Sequence, residues 1–302
     1  MKNRALVLLS AFIILSFTFC RAENFPINFS ITPSSHRTLL NEKILSAFEN
    51  THPRTKFSQT TSEKEIFTQT KIKPVDTLCY ELRIYTAEKG KLNDLLKRFR
   101  NHTLALFEKH RIKVEGFWVP LDNPDEKLYY IVSYPNRKTR EINWKAFIDD
   151  TTRVRIFKES EANGKLVHKV DEVFLKTTDF SPNKFTGISN QVWELRIYTA
   201  SPNNLGILLS RFRDHTIKLF EKYGMTNKIY FTPTDVAQGS DKMLYYFLTH
   251  KSEATAKESF KNFGASDEWK KVITESEIKG GGSLTTKIES VFMYPTDFSP
   301  IK

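Results

Sequence analysis

Cysteine is nearly absent from this chain of 302 residues: Cys20 and Cys79 are the only two. Cys20 falls in an N-terminal segment that reads as removable, so no pair remains for an internal disulfide. Cys79 adjoins Leu78 and Tyr80 at the start of an apolar strand, the setting of a buried, inert thiol. No His-x-His and no paired cysteines supply a metal site. No Gly-x-Ser-x-Gly elbow appears. The one glycine run, Gly280-Gly281-Gly282, has no helix start behind it and is a loop, not a phosphate cradle. With 11 glycines and 12 prolines the chain is no collagen. Only one long apolar run exists, Ala5 to Phe19, so the chain is not a multispan membrane protein.

That run follows Lys2 and Arg4 and ends at Cys20-Arg21-Ala22, the pattern of a signal peptide over residues 1–22. It is short for a bilayer-spanning helix of about 20 residues. Export to a periplasm or the medium, with cleavage after Ala22, is the expectation. A lipid on Cys20 and an uncleaved anchor are the two rivals, and membrane attachment follows only from one of them. Without the first 22 residues the chain keeps 43 basic and 35 acidic side chains, a net +8. The signs are interspersed, which is a solvated surface. No basic stripe or nucleic-acid module is present, so nucleic acid is not an expected partner. Residues 23–76 are polar and broken by proline, which reads as a flexible tail.

What the chain does have is repetition. Glu81-Leu82-Arg83-Ile84-Tyr85-Thr86-Ala87 returns unchanged as Glu194-Leu195-Arg196-Ile197-Tyr198-Thr199-Ala200, 113 residues on. Arg98-Phe99-Arg100-x-His102-Thr103 returns as Arg211-Phe212-Arg213-x-His215-Thr216, and Asp179-Phe180-Ser181-Pro182 as Asp297-Phe298-Ser299-Pro300. A period near 110 residues is too long for a solenoid and fits two duplicated domains, 77–183 and 190–302.

Each copy reads as strand, helix, strand, strand, helix, strand. Tyr80–Thr86 and Trp193–Thr199 alternate at period two. Leu92, Leu95, Leu96, Phe99, Thr103, Leu106 and Phe107 recur at helical spacing, as do their counterparts from Leu205 to Phe220. A hairpin follows, then one helix bearing Trp144, Phe147, Ile148 and Ile156, then a last strand. This order predicts an α+β fold of two tandem ferredoxin-like domains. Each such sheet has one face bare of helices, and two copies would cover each other as an internal pseudo-dimer.

The Glu-Leu-Arg-x-Tyr opening, the His-Thr-x-x-Leu-Phe-Glu-Lys helix, and Trp269 with Ser276-Glu277 in the second helix resemble the NIPSNAP family, twice over, from Leu78 to Lys302. The resemblance implies a dimeric α+β barrel, here within one chain. Copy one departs from it, with Thr151-Thr152-Arg153 where copy two has Asp267-Glu268-Trp269. The family implies no settled activity. Its wider barrel superfamily contains cofactor-free monooxygenases and haem-handling enzymes.

Glu81, Arg83 and Tyr85, with Glu194, Arg196 and Tyr198, share a strand face that is expected to point into the barrel. Two outcomes follow. Either a polar cavity has Arg83, Arg196, Tyr85 and Tyr198 holding an anionic ligand and Glu81 or Glu194 as base, or the charges satisfy one another and set register. His102 and His215 are expected on the apolar stripe of the first helix, as core residues or as catalytic candidates. The expected function is an exported module that binds a small molecule or a protein, without an evident cofactor. The alternatives are a cofactor-independent, monooxygenase-like oxidoreductase working inside the barrel, and a haem or tetrapyrrole binder.

Overall fold

The computed structural model describes residues 77–183, 185–186 and 190–301. The signal segment, Cys20 and residues 23–76 lie outside the described residues.

In chain order the first half comprises β1 (Cys79–Ala87), α1 (Leu92–Arg98), a π-helical turn (Phe99–Thr103), α2 (Leu104–Lys109), β2 (Lys113–Pro120), β3 (Lys127–Tyr134), α3 (Arg137–Asp149), α4 (Thr151–Ser160) and β4 (Val167–Thr177). The second half repeats it as β5 (Val192–Ala200), α5 (Leu205–Arg211), a π turn (Phe212–Thr216), α6 (Ile217–Lys222), β6 (Thr226–Pro233), β7 (Met243–His250), α7 (Glu253–Ala265), α8 (Asp267–Gly280) and β8 (Thr285–Pro295). Where the sequence suggested one second helix per copy, there are two. Asp150 takes extended backbone and its carboxylate accepts from the N–H groups of Thr152 and Arg153, so one residue ends α3 and caps α4. Ser266 does the same ahead of α8, accepting from Trp269.

The eight strands close into one antiparallel barrel in the order β1-β3-β2-β8-β5-β7-β6-β4. Within a half, pairing is long: β1 meets β3 from Cys79 to Thr86 and β4 from Tyr80 to Ala87. Between halves it is short. Trp118, Val119 and Pro120 pair with Pro295, Tyr294 and Met293, and Leu175, Lys176 and Thr177 pair with Pro233, Thr232 and Phe231.

Three apolar cores result. One lies between the first sheet and its helices, around Phe99, Phe107, Phe117 and Tyr130. Its duplicate surrounds Phe212, Phe220, Tyr230 and Tyr246. The third fills the barrel and is shared: Tyr80, Leu82, Trp118, Ile131 and Leu175 from the first half pack with Trp193, Leu195, Ile229, Phe231, Phe247 and Met293 from the second.

The Asp-Phe-Ser-Pro repeat clasps the halves together. Arg100 grips Asp297 through two hydrogen bonds of 2.8 and 2.7 Å, and Arg213 grips Asp179 at 2.8 and 2.9 Å. Phe298 packs edge-on to Phe117, and Phe180 packs on Tyr230. Ser299 Oγ accepts from the Phe117 N–H and Ser181 Oγ from the Tyr230 N–H, both at 3.0 Å. Each motif closes on the opposite half.

Candidate functional site

The candidate face of β1 and β5 does not point into the barrel. Tyr80, Leu82 and Ile84 do, and Glu81, Arg83 and Tyr85 lie beneath the helices. Alternation located the two faces but not their neighbours, because closure buries both. The dry interior took the apolar row, and the charged row fell where helix side chains meet it.

In the first half Glu81 is fully buried and neutralised twice. Arg140, on the first turn of α3, donates from Nε and Nη2 at 2.9 Å to both carboxylate oxygens. Arg83 Nη1 donates to the same carboxylate and, at 2.6 Å, to Glu172 of β4. The Arg83 guanidinium lies 4.3 Å from the Trp144 ring and that of Arg140 5.1 Å from it, so the cations also stack on an aromatic face.

The second half solves the same problem with other residues. Where Tyr134 ends β3, His250 ends β7, and where Arg140 stands in α3, Ala256 stands in α7. Glu194, fully buried, therefore takes its hydrogen bonds from Arg196 Nη1 at 2.6 Å, Ser290 Oγ at 2.7 Å and His250 Nε2 at 2.8 Å. A carboxylate only accepts, so His250 carries its proton on Nε2. Its Nδ1 is buried without a hydrogen-bond partner. Arg196 also donates from Nε to Tyr246 Oη at 3.0 Å and from Nη2 to Tyr198 Oη at 3.3 Å, and sits over Phe260. Burial alone would push the Glu194 carboxyl up. The bonds from His250 and Ser290 and the charge of Arg196 outweigh it and hold the group below its ordinary value.

Tyr85 packs on Phe99 and Tyr130, and Tyr198 on Phe212 and Tyr246. Burial drives the phenols of Tyr130 and Tyr246 far above their ordinary value, so both stay protonated. Burial likewise pushes the Cys79 thiol up to about 11, which leaves it a poor nucleophile.

His102 and His215 are exposed, not on the apolar stripe. The π turn is the cause. Its wider winding puts Thr103 and Thr216 in the buried position, their hydroxyls bonding the carbonyls five residues back, Arg98 and Arg211. The histidine beside each threonine is turned out to solvent. They therefore join neither the glutamates nor the arginines of β1 and β5. Instead, His102 lines a cleft with Arg98 and Ser160, and His215 one with Arg211 and Ser276.

The decisive partners Arg140, His250 and Ser290 escaped sequence reading. The paired change between copies, Tyr134 and Arg140 to His250 and Ala256, was the available signal: one copy lost a cation where it gained an imidazole. No group of His, Cys, Asp and Glu among the described residues is placed to hold a metal ion. No helix among them is long and apolar enough to cross a membrane.

Among solved structures, a candidate monooxygenase from Lactobacillus acidophilus NCFM is 14% identical, with a TM-score of 0.45, covering 72% of this chain and 94% of that one. An anthrone oxidase-like protein is 9% identical, with a TM-score of 0.48, covering 73% of this chain and 92% of the other. A NIPSNAP family protein from Agrobacterium tumefaciens str. C58 is 22% identical over 35% of this chain and 97% of its own, with a TM-score of 0.32. No curated protein matches in sequence. The NIPSNAP family model matches residues 80–182 and again 193–300, the two halves that share the buried glutamate and the reciprocal clasp. The chain belongs to the NIPSNAP family and carries two of its domains in tandem.

Proposed function

We propose that the protein is a binding module that takes its ligand on the outside of the barrel. One observation carries this reading: the interior is solid. Leu82, Trp118, Ile131, Leu175, Trp193, Leu195, Ile229, Phe231, Phe247 and Met293 are fully buried against one another in its middle, and only residues such as Ile84 and Ile197 of the same core are partly exposed. An oxidoreductase substrate or a tetrapyrrole has no room there. The glutamate–arginine pairs lie under the helices with their charges matched, which is the arrangement of a structural network.

A surface groove of about 650 Å³ opens between α2 and the C-terminal segment, within the range of small-molecule sites. Leu104, Ile112, Val114, Phe298 and Pro300 give it an apolar lining, Arg100, Arg111 and Lys113 add cationic groups, and Glu108 adds one carboxylate. Asp297 holds Arg100 and Glu115 holds Lys113 at 2.9 Å, whereas Arg111 forms no ion pair among the described residues. An apolar trough with one uncommitted cation suits an amphipathic acid.

Calorimetric titration with decanoate tests this. Ala105 lines the groove and is exposed, so Ala105→Trp fills the groove without disturbing the core. Binding to the wild type, weakened about tenfold or more (roughly 1.4 kcal/mol) by Ala105→Trp and by Arg111→Glu, supports the reading. Absent binding, or equal affinity in all three proteins, would remove this groove as the site.

A further inference from the structure

Arg98 and Arg211 end α1 and α5 at the same place in the two halves, and both are buried, at 4% and 6% exposure. Their surroundings differ in the ring each meets and in its hydrogen-bond partners. Arg98 lies over Phe157 and donates from Nη1 to Glu161 at 2.8 Å and to Ser160 Oγ at 3.3 Å. Arg211 lies beside the Trp269 ring and donates from Nη1 only to Ser276 Oγ, at a long 3.4 Å. Its Nε is buried without a partner, as is that of Arg98; the difference is that Arg98 has the ion pair with Glu161 and Arg211 has none among the described residues.

Helix length explains the difference. The first-half helix α4 stops at Ser160, so Glu161 is its C-cap residue and turns onto Arg98. The second-half helix α8 runs on to Gly280, where Gly281 ends it in the left-handed conformation at φ 71°. Glu277, the counterpart of Glu161, stays inside the helix and makes no ion pair among the described residues. A cleft of about 70 Å³ lies over Arg211, lined by Ser210, Asp214, His215, Ser276 and Lys279 among others. That is room for a few waters or for one carboxylate group. Asp214 and Glu275 also stand at this cleft but are exposed to solvent. The buried charge on its floor is the guanidinium, and burial with too little compensation draws the Arg211 pKa down.

We propose that this cleft binds a carboxylate from outside the fold, seated on Arg211 as Glu161 is seated on Arg98. A guanidinium fork matches a carboxylate in two parallel hydrogen bonds. Lys279 and His215, both exposed at the cleft, supply further donors at its mouth. The site shares no residue with the groove of the first half and stands whether or not that groove binds anything. The carboxylate comes either from a free small acid or from the end of a peptide chain.

Acetate and N-acetylglycine, each titrated into the full chain against chloride at equal ionic strength, test the proposal by thermal shift and by calorimetry. Saturable binding of one equivalent of acetate is expected, with N-acetylglycine amide inert. Lys279→Gln should weaken it several-fold and Arg211→Gln by about tenfold or more, as loss of a buried charge-assisted bond implies. Glu161→Gln is the complementary variant, needing no change at Arg211. It frees Arg98, and the number of acetate equivalents should rise from one to two. Binding of N-acetylglycine as well as acetate identifies a site open to a chain end, and binding of acetate alone identifies a small-acid site. No saturable effect beyond chloride in the wild type overturns the proposal. Undiminished acetate binding in folded Arg211→Gln overturns it equally.

Discussion

Glu81 and Glu194 show how one residue, duplicated, can keep its burial and change its partners. Each is fully buried, and removing its charge leaves largely buried cations without that counter-charge. Glu81→Gln should destabilise the first half by about 3–5 kcal/mol, since Arg83 and Arg140 both lose their counter-charge. Urea denaturation measures this, and a loss below 1 kcal/mol would mean that Glu172 alone suffices for Arg83. Glu194 adds a pH signature. Its folded pKa lies below the ordinary carboxyl value of 4.5. Its stabilisation is therefore full above that pH and is lost as pH falls through the lower, folded value. The stability gap between wild type and Glu194→Gln should be constant near neutrality and shrink on acidification below about pH 4.5. A gap that widens in acid would contradict the assignment of an ionised, hydrogen-bonded carboxylate.

A second residue-scale asymmetry sits in the barrel core. Gly116 and Trp118 of β2 correspond to Ile229 and Phe231 of β6. The first half spends the volume on one large ring, and the second divides it between two side chains. A Cβ placed on Gly116 would lie 2.5 Å from the Trp118 ring and 2.9 Å from Ile301. Gly116→Ala should thus cost about 1–3 kcal/mol by overpacking. Adding Trp118→Phe, which withdraws the clashing ring atoms, should make the double variant more stable than additivity allows. Simple additivity in the double-mutant cycle would show that the two positions do not share space.

At the scale of elements, the clasp separates bonds that look alike on paper. The Arg100–Asp297 pair has good geometry but is exposed at both ends, and such pairs are worth about 0–1 kcal/mol. Ser299 Oγ serves a buried backbone N–H, whose loss of a partner costs about 1–3 kcal/mol. Ser299→Ala should therefore lower the urea midpoint more than Asp297→Asn, and the reverse order would place the strength of the clasp in its charges. This scale also shows what the sequence could express. The strand–helix–strand–strand–helix–strand order, the pairing of the copies and the Asp-Phe-Ser-Pro repeat were visible because each depends on local period or on identity between copies. The side of the sheet facing the helices was not visible. Alternation is symmetric, and the deciding contact, Arg140 with Glu81, spans 59 residues. The exposure of His102 was hidden for a related reason. A π turn shifts the helical period by one residue, and straight counting from Leu95 places the histidine where Thr103 lies.

The whole molecule depends on a core that neither half owns. The seams joining the sheets are three residue pairs each, and such short ladders do not hold domains together by backbone bonding. The shared interior does, with Trp118 stacked on Phe247 and packed beside Trp193 across the junction. Apolar burial of about 25 cal/mol per Å² concentrates there in the largest side chains of both halves. A single half, residues 77–183, would leave Tyr80, Leu82, Trp118, Ile131 and Leu175 on an open sheet face far more apolar than soluble surfaces sustain. That fragment should pair with itself and rebuild a barrel, since its exposed face is the one that receives a near-copy in the intact chain. Sedimentation of the fragment should show a dimer, and the intact chain should unfold in one transition by both tryptophan fluorescence and circular dichroism. A folded, monomeric fragment would mean that the apolar face closes on itself, and the interior would then be two cores in contact instead of one. The same dependence bears on function. Tandem fusion holds the two faces together at any concentration, and it frees each half to change its helix layer separately. The unmatched Arg211 of the second half and the Glu161-matched Arg98 of the first are one such difference between the two helix layers.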